Sequence, residues 1–289
     1  MKFTELLNKE KVLLFDGGMG TQLAERGCEM GGAANLSSPE DVVNIHRDYS
    51  EAGADVIISN TFTMNRINIE SHKLAIDVKE VNIEGAKLAR QAVGQEKMVF
   101  GDIGPTGQLL KPFGSYSEEE MYESFFEQVQ YLVAEKVDGL IIESFTDLKE
   151  AVCALKACRD VATGVPVILS MAFKTVDKGG RTIMGSTVAG VAEAASAYGA
   201  VAVGANCGDL DPMEMAELVS IFKKETNLPL MVQPNAGKPK FVDGKTTFDM
   251  KPEQYADGVI KCIENGASIV GGCCGTTPDH IKALSENLR

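Results

Sequence analysis

Eight short apolar runs, each followed by an amphipathic stretch, and the absence of hydrophobic alternation within those runs predict an α/β fold: a single (β/α)8 barrel of the TIM type. The runs begin near Val12, Asp55, Met98, Gly139, Val165, Val201, Pro229 and Ser268. Alternation of strand and helix implies a parallel sheet. Val56-Ile57-Ile58 and Leu140-Ile141-Ile142 are apolar at every position, as strands buried on both faces are. Eight such units within 289 residues match the size of a closed barrel. No linker, low-complexity tract or repeat divides the chain, so residues 1–289 are read as one domain.

The helix starts support this order. Ser38-Pro39-Glu40, Asp211-Pro212 and Thr277-Pro278 place a capping residue before proline at the first helical position, and Ser117-Glu118-Glu119-Glu120 has the capping-box pattern. Tyr255, Val259, Ile260 and Ile263 recur on one face of the segment before the last strand, which is ordinary core spacing.

Composition narrows the function. A net charge of −13 disfavours nucleic acid, whose phosphates are held by clustered Lys and Arg. No apolar run approaches the roughly 20 residues that span a bilayer, so no membrane partner is expected. Seven cysteines without an apolar N-terminal segment point to a reducing, cytoplasmic setting.

In a barrel the segments that follow the strands open on one end, where active sites are built. Here those segments hold Asp16-Gly17-Gly18-Met19-Gly20-Thr21, Asn60-Thr61-Phe62, Asp102-Ile103-Gly104-Pro105-Thr106-Gly107, Glu143-Ser144, Asn206-Cys207, Gln233-Pro234-Asn235-Ala236-Gly237 and Cys273-Cys274. Adjacent Cα atoms lie about 3.8 Å apart, short of the roughly 4.4 Å an unstrained disulfide needs, so Cys273 and Cys274 are not expected to bridge. The glycines flanking them allow a turn that aims both sulfurs at one point. With Cys207 they make three soft ligands suited to Zn²⁺, leaving a fourth position open; the competing reading is a set of small buried thiols. Cys262 takes that second reading, Cys28, Cys153 and Cys158 look incidental, and His46, His72 and His280 share no ligand spacing. The polar segment 174–186 reads either as a loop that closes over the mouth or as a solvated hairpin.

Together these rim motifs resemble the homocysteine S-methyltransferase family, and most closely the homocysteine-binding module of cobalamin-dependent methionine synthases. The resemblance runs from Asp16-Gly17-Gly18-Met19-Gly20-Thr21 to Gly271-Gly272-Cys273-Cys274-Gly275-Thr276-Thr277-Pro278. It implies a zinc-dependent methyltransferase that forms methionine, with zinc on Cys207, Cys273 and Cys274 binding the thiol of L-homocysteine. It further implies that Asp16 and Glu143 hold the substrate ammonium, that the Gly17-Gly18 backbone meets the carboxylate, and that Asn60 and Asn235 orient the substrate. Asn235 is also a candidate for the open zinc position. Many relatives carry Ala at the position of Gly18, a small-for-small difference expected to matter little. Methionine synthases of this kind continue into folate and cobalamin domains, so the methyl donor is expected to be methylcobalamin, free or on a separate corrinoid protein. S-methylmethionine and betaine are the alternatives. A barrel with a structural zinc and no methyl transfer is the rival of another class.

Overall fold

The computed structural model describes residues 3–9, 12–242 and 245–289. Its centre is one eight-stranded parallel sheet whose strands we number β1 (Leu13–Leu14), β2 (Val56–Ile58), β3 (Met98–Ile103), β4 (Gly139–Phe145), β5 (Val167–Met171), β6 (Ala202–Asn206), β7 (Leu230–Gln233) and β8 (Ala267–Val270). Neighbours in sequence are neighbours in space from β2 to β8, and β8 pairs with β1 through Leu13↔Ile269 and Leu14↔Val270. A parallel bridge between Phe15 and Val56, with the Asp55 N–H donating to Leu14 O at 2.7 Å, joins β1 to β2 and closes the barrel. The expected strand starts fall within two residues of those observed.

Inward-facing side chains follow the two-residue period of a strand. Leu13, Phe15, Val56, Met98, Phe100, Ile141, Ile168, Ala202, Met231 and Ile269 form one cluster inside the barrel. The helix Phe3–Lys9 precedes β1, and Phe3 lies 5.0 Å from the Phe100 ring, centroid to centroid, in that cluster. Outward-facing residues such as Ile57, Val99, Leu140, Ile142 and Val203 pack with the surrounding helices in a second core. Tyr255, Val259 and Cys262 are buried there from the helix Pro252–Asn265, with Ile260 and Ile263 at its edge.

Caps at three of the four expected helix starts involve the anticipated residue. Ser117 and Asp211 form capping boxes with Glu120 and Glu214. At Thr277 the partner is His280, whose Nδ1 accepts the Thr277 N–H at 3.2 Å and lies 2.9 Å from its hydroxyl. At Ser38 the hydroxyl makes no cap bond, and Pro39 alone sets the start. Residues 174–186 follow the hairpin reading: Phe173–Thr175 pairs antiparallel with Arg181–Thr182, and the Thr182 hydroxyl donates to Thr146 O at 2.6 Å. A second hairpin, Lys240–Val242 with Lys245–Thr247, rises between β7 and its helix. No helix among the described residues is long and apolar enough to cross a membrane.

Candidate metal and substrate site

Where the strands end, the inner lining changes from apolar to polar. One inward step beyond Phe100, Ile141, Ile168 and Met231 stand Asp102, Glu143, Ser170 and Gln233, all buried. Asn206, at the end of β6, ties this layer together. Its Oδ1 accepts from the Ser144 N–H and the Ser170 hydroxyl, both at 2.9 Å, and its Nδ2 donates to Ser144 Oγ at 2.7 Å and points toward Cys273 Sγ at 3.8 Å. Ser144 and Cys207 both have positive φ, 63° and 51°. Such a conformation is uncommon for residues with a Cβ and is held only where neighbours enforce it, here by Asn206 and by the Cys207 N–H bond to Gln233 O at 3.1 Å.

Cys207, Cys273 and Cys274 converge. Their sulfurs all lie within 4.8 Å of one another, with Cys207 and Cys274 3.9 Å apart, and no cysteine is in a disulfide. Tetrahedral zinc with Zn–S bonds of about 2.3 Å requires sulfurs about 3.8 Å apart, so this donor set fits the ion in both chemistry and spacing. Hydrogen bonds from Cys273 and then Cys274 pull the Cys207 thiol down to about 3, while donation to Cys207 pushes Cys274 up to about 12 and Cys273 well above the usual thiol range.

The cysteine pair is positioned by the glycine-rich turn after β1. Gly272 donates to Asp16 O at 2.8 Å, Gly275 to the Thr21 hydroxyl at 2.8 Å, and Thr276 Oγ1 to Cys273 O at 2.7 Å. That hydroxyl in turn accepts the Gly18 N–H at 2.9 Å. The Gly18 amide is therefore already committed, which leaves Gly17 as the residue of the pair with no such bond to Thr276. A Cβ added at Gly18 would stand 2.6 Å from the Cys273 carbonyl oxygen. Alanine at this position requires the turn to shift.

Asp16 accepts the Ile58 N–H at 2.9 Å, and burial raises its pKa well above the carboxylate range, with Glu143 adding to the effect. Burial, and then the Cys207 charge, raise Glu143 to about 8. Burial, followed by Glu143 and Asp16, also raises Asp102 well above the carboxylate range, and its Oδ1 has no hydrogen-bond partner. Asn235 donates to Gly208 O at 3.0 Å and also hydrogen-bonds Cys207, while its buried Oδ1 has no partner. Asn60 faces elsewhere: its amide donates to Gly31 O at 2.9 Å and Asn35 Oδ1 at 3.0 Å, bracing the crossover after β1. The histidines stay outside the site. His46 is buried with neither ring nitrogen bonded, its pKa lowered to about 3 by burial, and His72 Nδ1 lies 3.0 Å from Asn68 O. Cys28, partly exposed, has its sulfur 3.4 Å from Asp41 Oδ2.

Sequence reasoning passed over Asn206, Gln233, Thr276 and the role of Asp102. Asp102 left one legible trace, an acid at an inward position of the apolar run Met98–Ile103.

Fold and site together define a (β/α)8 barrel with three converging cysteines at its C-terminal mouth. The chain belongs to the homocysteine S-methyltransferase family, whose sequence profile matches residues 13–288. It is 30% identical over 304 aligned positions to the methionine synthases of Mycobacterium leprae and Mycobacterium tuberculosis, an alignment covering 98% of this chain and 25% of each relative. The chain thus spans about a quarter of the length of these curated relatives. Among solved structures, the metallated homocysteine methyltransferase MmuM from Escherichia coli superposes with a TM-score of 0.81 at 24% identity, covering 98% of both chains. The oxidised form of the same protein gives 0.78 at 25% identity over the same share of each chain.

Proposed function

We propose that Cys207, Cys273 and Cys274 hold a zinc ion and that the protein transfers a methyl group to the thiol of L-homocysteine, forming methionine. The convergence of three sulfurs beside an unpartnered Asn235 oxygen and a ring of buried carboxylates carries this reading. When bound, zinc lowers the pKa of the substrate thiol, so that at neutral pH its sulfur is present as a nucleophile. The chain's own groups do the rest. Asp16 and Glu143 bind the ammonium, the Gly17 backbone accommodates the carboxylate, and Asn206 keeps Ser144 and Cys273 in place. Asn235 Oδ1 is the neutral group available to the fourth metal position before substrate arrives. Holding the sulfur in line with the incoming methyl lowers the barrier through orientation, with no protein nucleophile. A purely structural zinc calls for a fourth protein ligand, and the metal-ligating cluster among the described residues contains three cysteines and no fourth His, Cys or carboxylate.

The donor we assign is a methylcorrinoid, methylcobalamin free or carried by a partner protein. The rim supports it. Every exposed large apolar side chain among the described residues lies between a strand's C-terminal end and the first turn of the long helix that follows it: Met30 and Leu36 after β1, Leu109 and Phe113 after β3, Ile183 and Met184 after β5, Met213 after β6 and Phe241 after β7. Phe113 and Phe241 are 83% and 80% exposed. Apolar groups concentrated at one end mark a surface for a large partner, whereas S-methylmethionine and betaine are small onium compounds with no use for such a rim. Methionine formation measured with methylcobalamin, S-methylmethionine and betaine offered separately tests the assignment. Turnover with methylcobalamin above the other two supports it, and turnover with either small onium donor alone refutes it. The reading also places the protein in the cytoplasm, where thiol ligands stay reduced.

A further inference from the structure

We infer that Asp102 is a third carboxylate of the ammonium pocket and makes the site selective for an amino thiol over the same thiol without its amine. This rests on the reading of the mouth as a homocysteine site. Asp102 projects from β3 on the same face as Met98 and Phe100, one step nearer the mouth. Only 6% of its surface is exposed; its carboxylate accepts from the Ile103 N–H, and Oδ1 accepts nothing.

Other aspartates of the barrel have structural tasks. Asp55 Oδ2 accepts the Leu14 N–H at 3.0 Å, and Asp138 Oδ2 accepts the Val99 N–H at 2.8 Å while pairing with Arg90. Asp102 Oδ1 has no such task. A buried polar atom left without a partner is destabilising and calls for an explanation, and in a polar layer lining the mouth a donor on the ligand supplies one. A second, uncharged orphan faces the same layer: Gln233 Oε1, on a residue 2% exposed at the end of β7.

The chemistry of the missing partner follows from these acceptors. Glu143 adds to the proton affinity of Asp16, and Glu143 and Asp16 both add to that of Asp102; no Lys or Arg is paired with any of the three among the described residues. A ligand for this pocket must bring positive charge and several donors. A primary ammonium offers three N–H groups, one for each carboxylate. On that reading the substrate carboxylate is held at the Gly17 turn after β1, two strands from Asp102 on β3, so loss of the amine is the change Asp102 should sense.

The test uses the zinc-loaded protein, Asp102→Asn and Asp102→Ser. Binding of L-homocysteine and of 4-mercaptobutyrate, which keeps the thiol and carboxylate but lacks the amine, is measured by calorimetry, alongside zinc content and thermal melting. Both variants should keep one zinc per chain, bind homocysteine about tenfold or more weakly, and bind 4-mercaptobutyrate as before. Unchanged homocysteine affinity in a folded variant, or equal loss for both thiols, overturns the role of Asp102 alone. Failure of the unsubstituted protein to bind homocysteine overturns the homocysteine reading and this inference with it.

Discussion

The two ends of the barrel interior are built from the same strands and filled on opposite principles. Toward the strand starts, Met98, Phe100, Ile141, Ile168 and Met231 close the interior with apolar surface, sealed by Phe3 and by the edge-on contact of Phe15 with Phe100 at 5.3 Å. One step along those same strands, Asp102, Glu143, Ser170 and Gln233 replace them, and two of the four leave an atom without a hydrogen bond. The lower layer stabilises the fold and the upper one is organised around something that the fold alone does not supply.

Five substitutions, in four tests, would break or sharpen that contrast. The largest effect is expected at the mouth: Cys273→Ala should lose the metal and reduce methionine formation to background while the melting temperature changes little, read by metal analysis, turnover and a thermal scan. At the closed end the effect should reverse. Phe100→Ala removes a fully buried ring and should destabilise the protein by about 3–5 kcal/mol in denaturant unfolding, with zinc still bound in the folded fraction.

The third concerns a buried acid that serves the mouth from outside the barrel. Glu150 Oε1 accepts the Thr106 N–H at 2.7 Å and its hydroxyl at 2.6 Å, fixing the turn after β3. Burial raises the Glu150 pKa from 4.5 to about 7 despite these bonds. The fold therefore favours the protonated acid, and the stability it contributes is complete below about pH 4.5 and lost as pH rises through about 7. Glu150→Gln keeps an acceptor and never ionises. Its stability relative to the parent should rise between those pH values by on the order of 3 kcal/mol, measured by urea unfolding at pH 5 and pH 8. A difference independent of pH would show that Glu150 is charged throughout.

The smallest effect is expected on the rim. Phe113→Ser and Phe241→Ser should each raise the KM for a corrinoid protein several-fold and leave stability within about 0.5 kcal/mol, because both rings are exposed. An unchanged KM would remove the rim from the donor's path.

Much of this contrast was legible before any coordinates. Strand runs such as Leu140-Ile141-Ile142 announce burial on both faces, and Cys207 and Cys273-Cys274 stand out because soft ligands in glycine-rich turns have few other uses. What stayed hidden depends on register. Asn206 is an ordinary polar residue until Ser144, Ser170 and Cys273 are brought around it from three other segments. Asp102 reads as a strand-end acid until Phe100 shows which way it faces. The close approach of the Cys273 carbonyl to Gly18 likewise shows only once the two turns are side by side. The helix Phe3–Lys9 went unread because seven residues are too few to display a clear period.

The proposed methyl transfer turns on what the three sulfurs do when substrate arrives. Zinc-edge X-ray absorption of the loaded protein should show three sulfur ligands and one lighter atom without substrate, and four sulfurs after L-homocysteine is added. A coordination shell that stays the same on addition would contradict it.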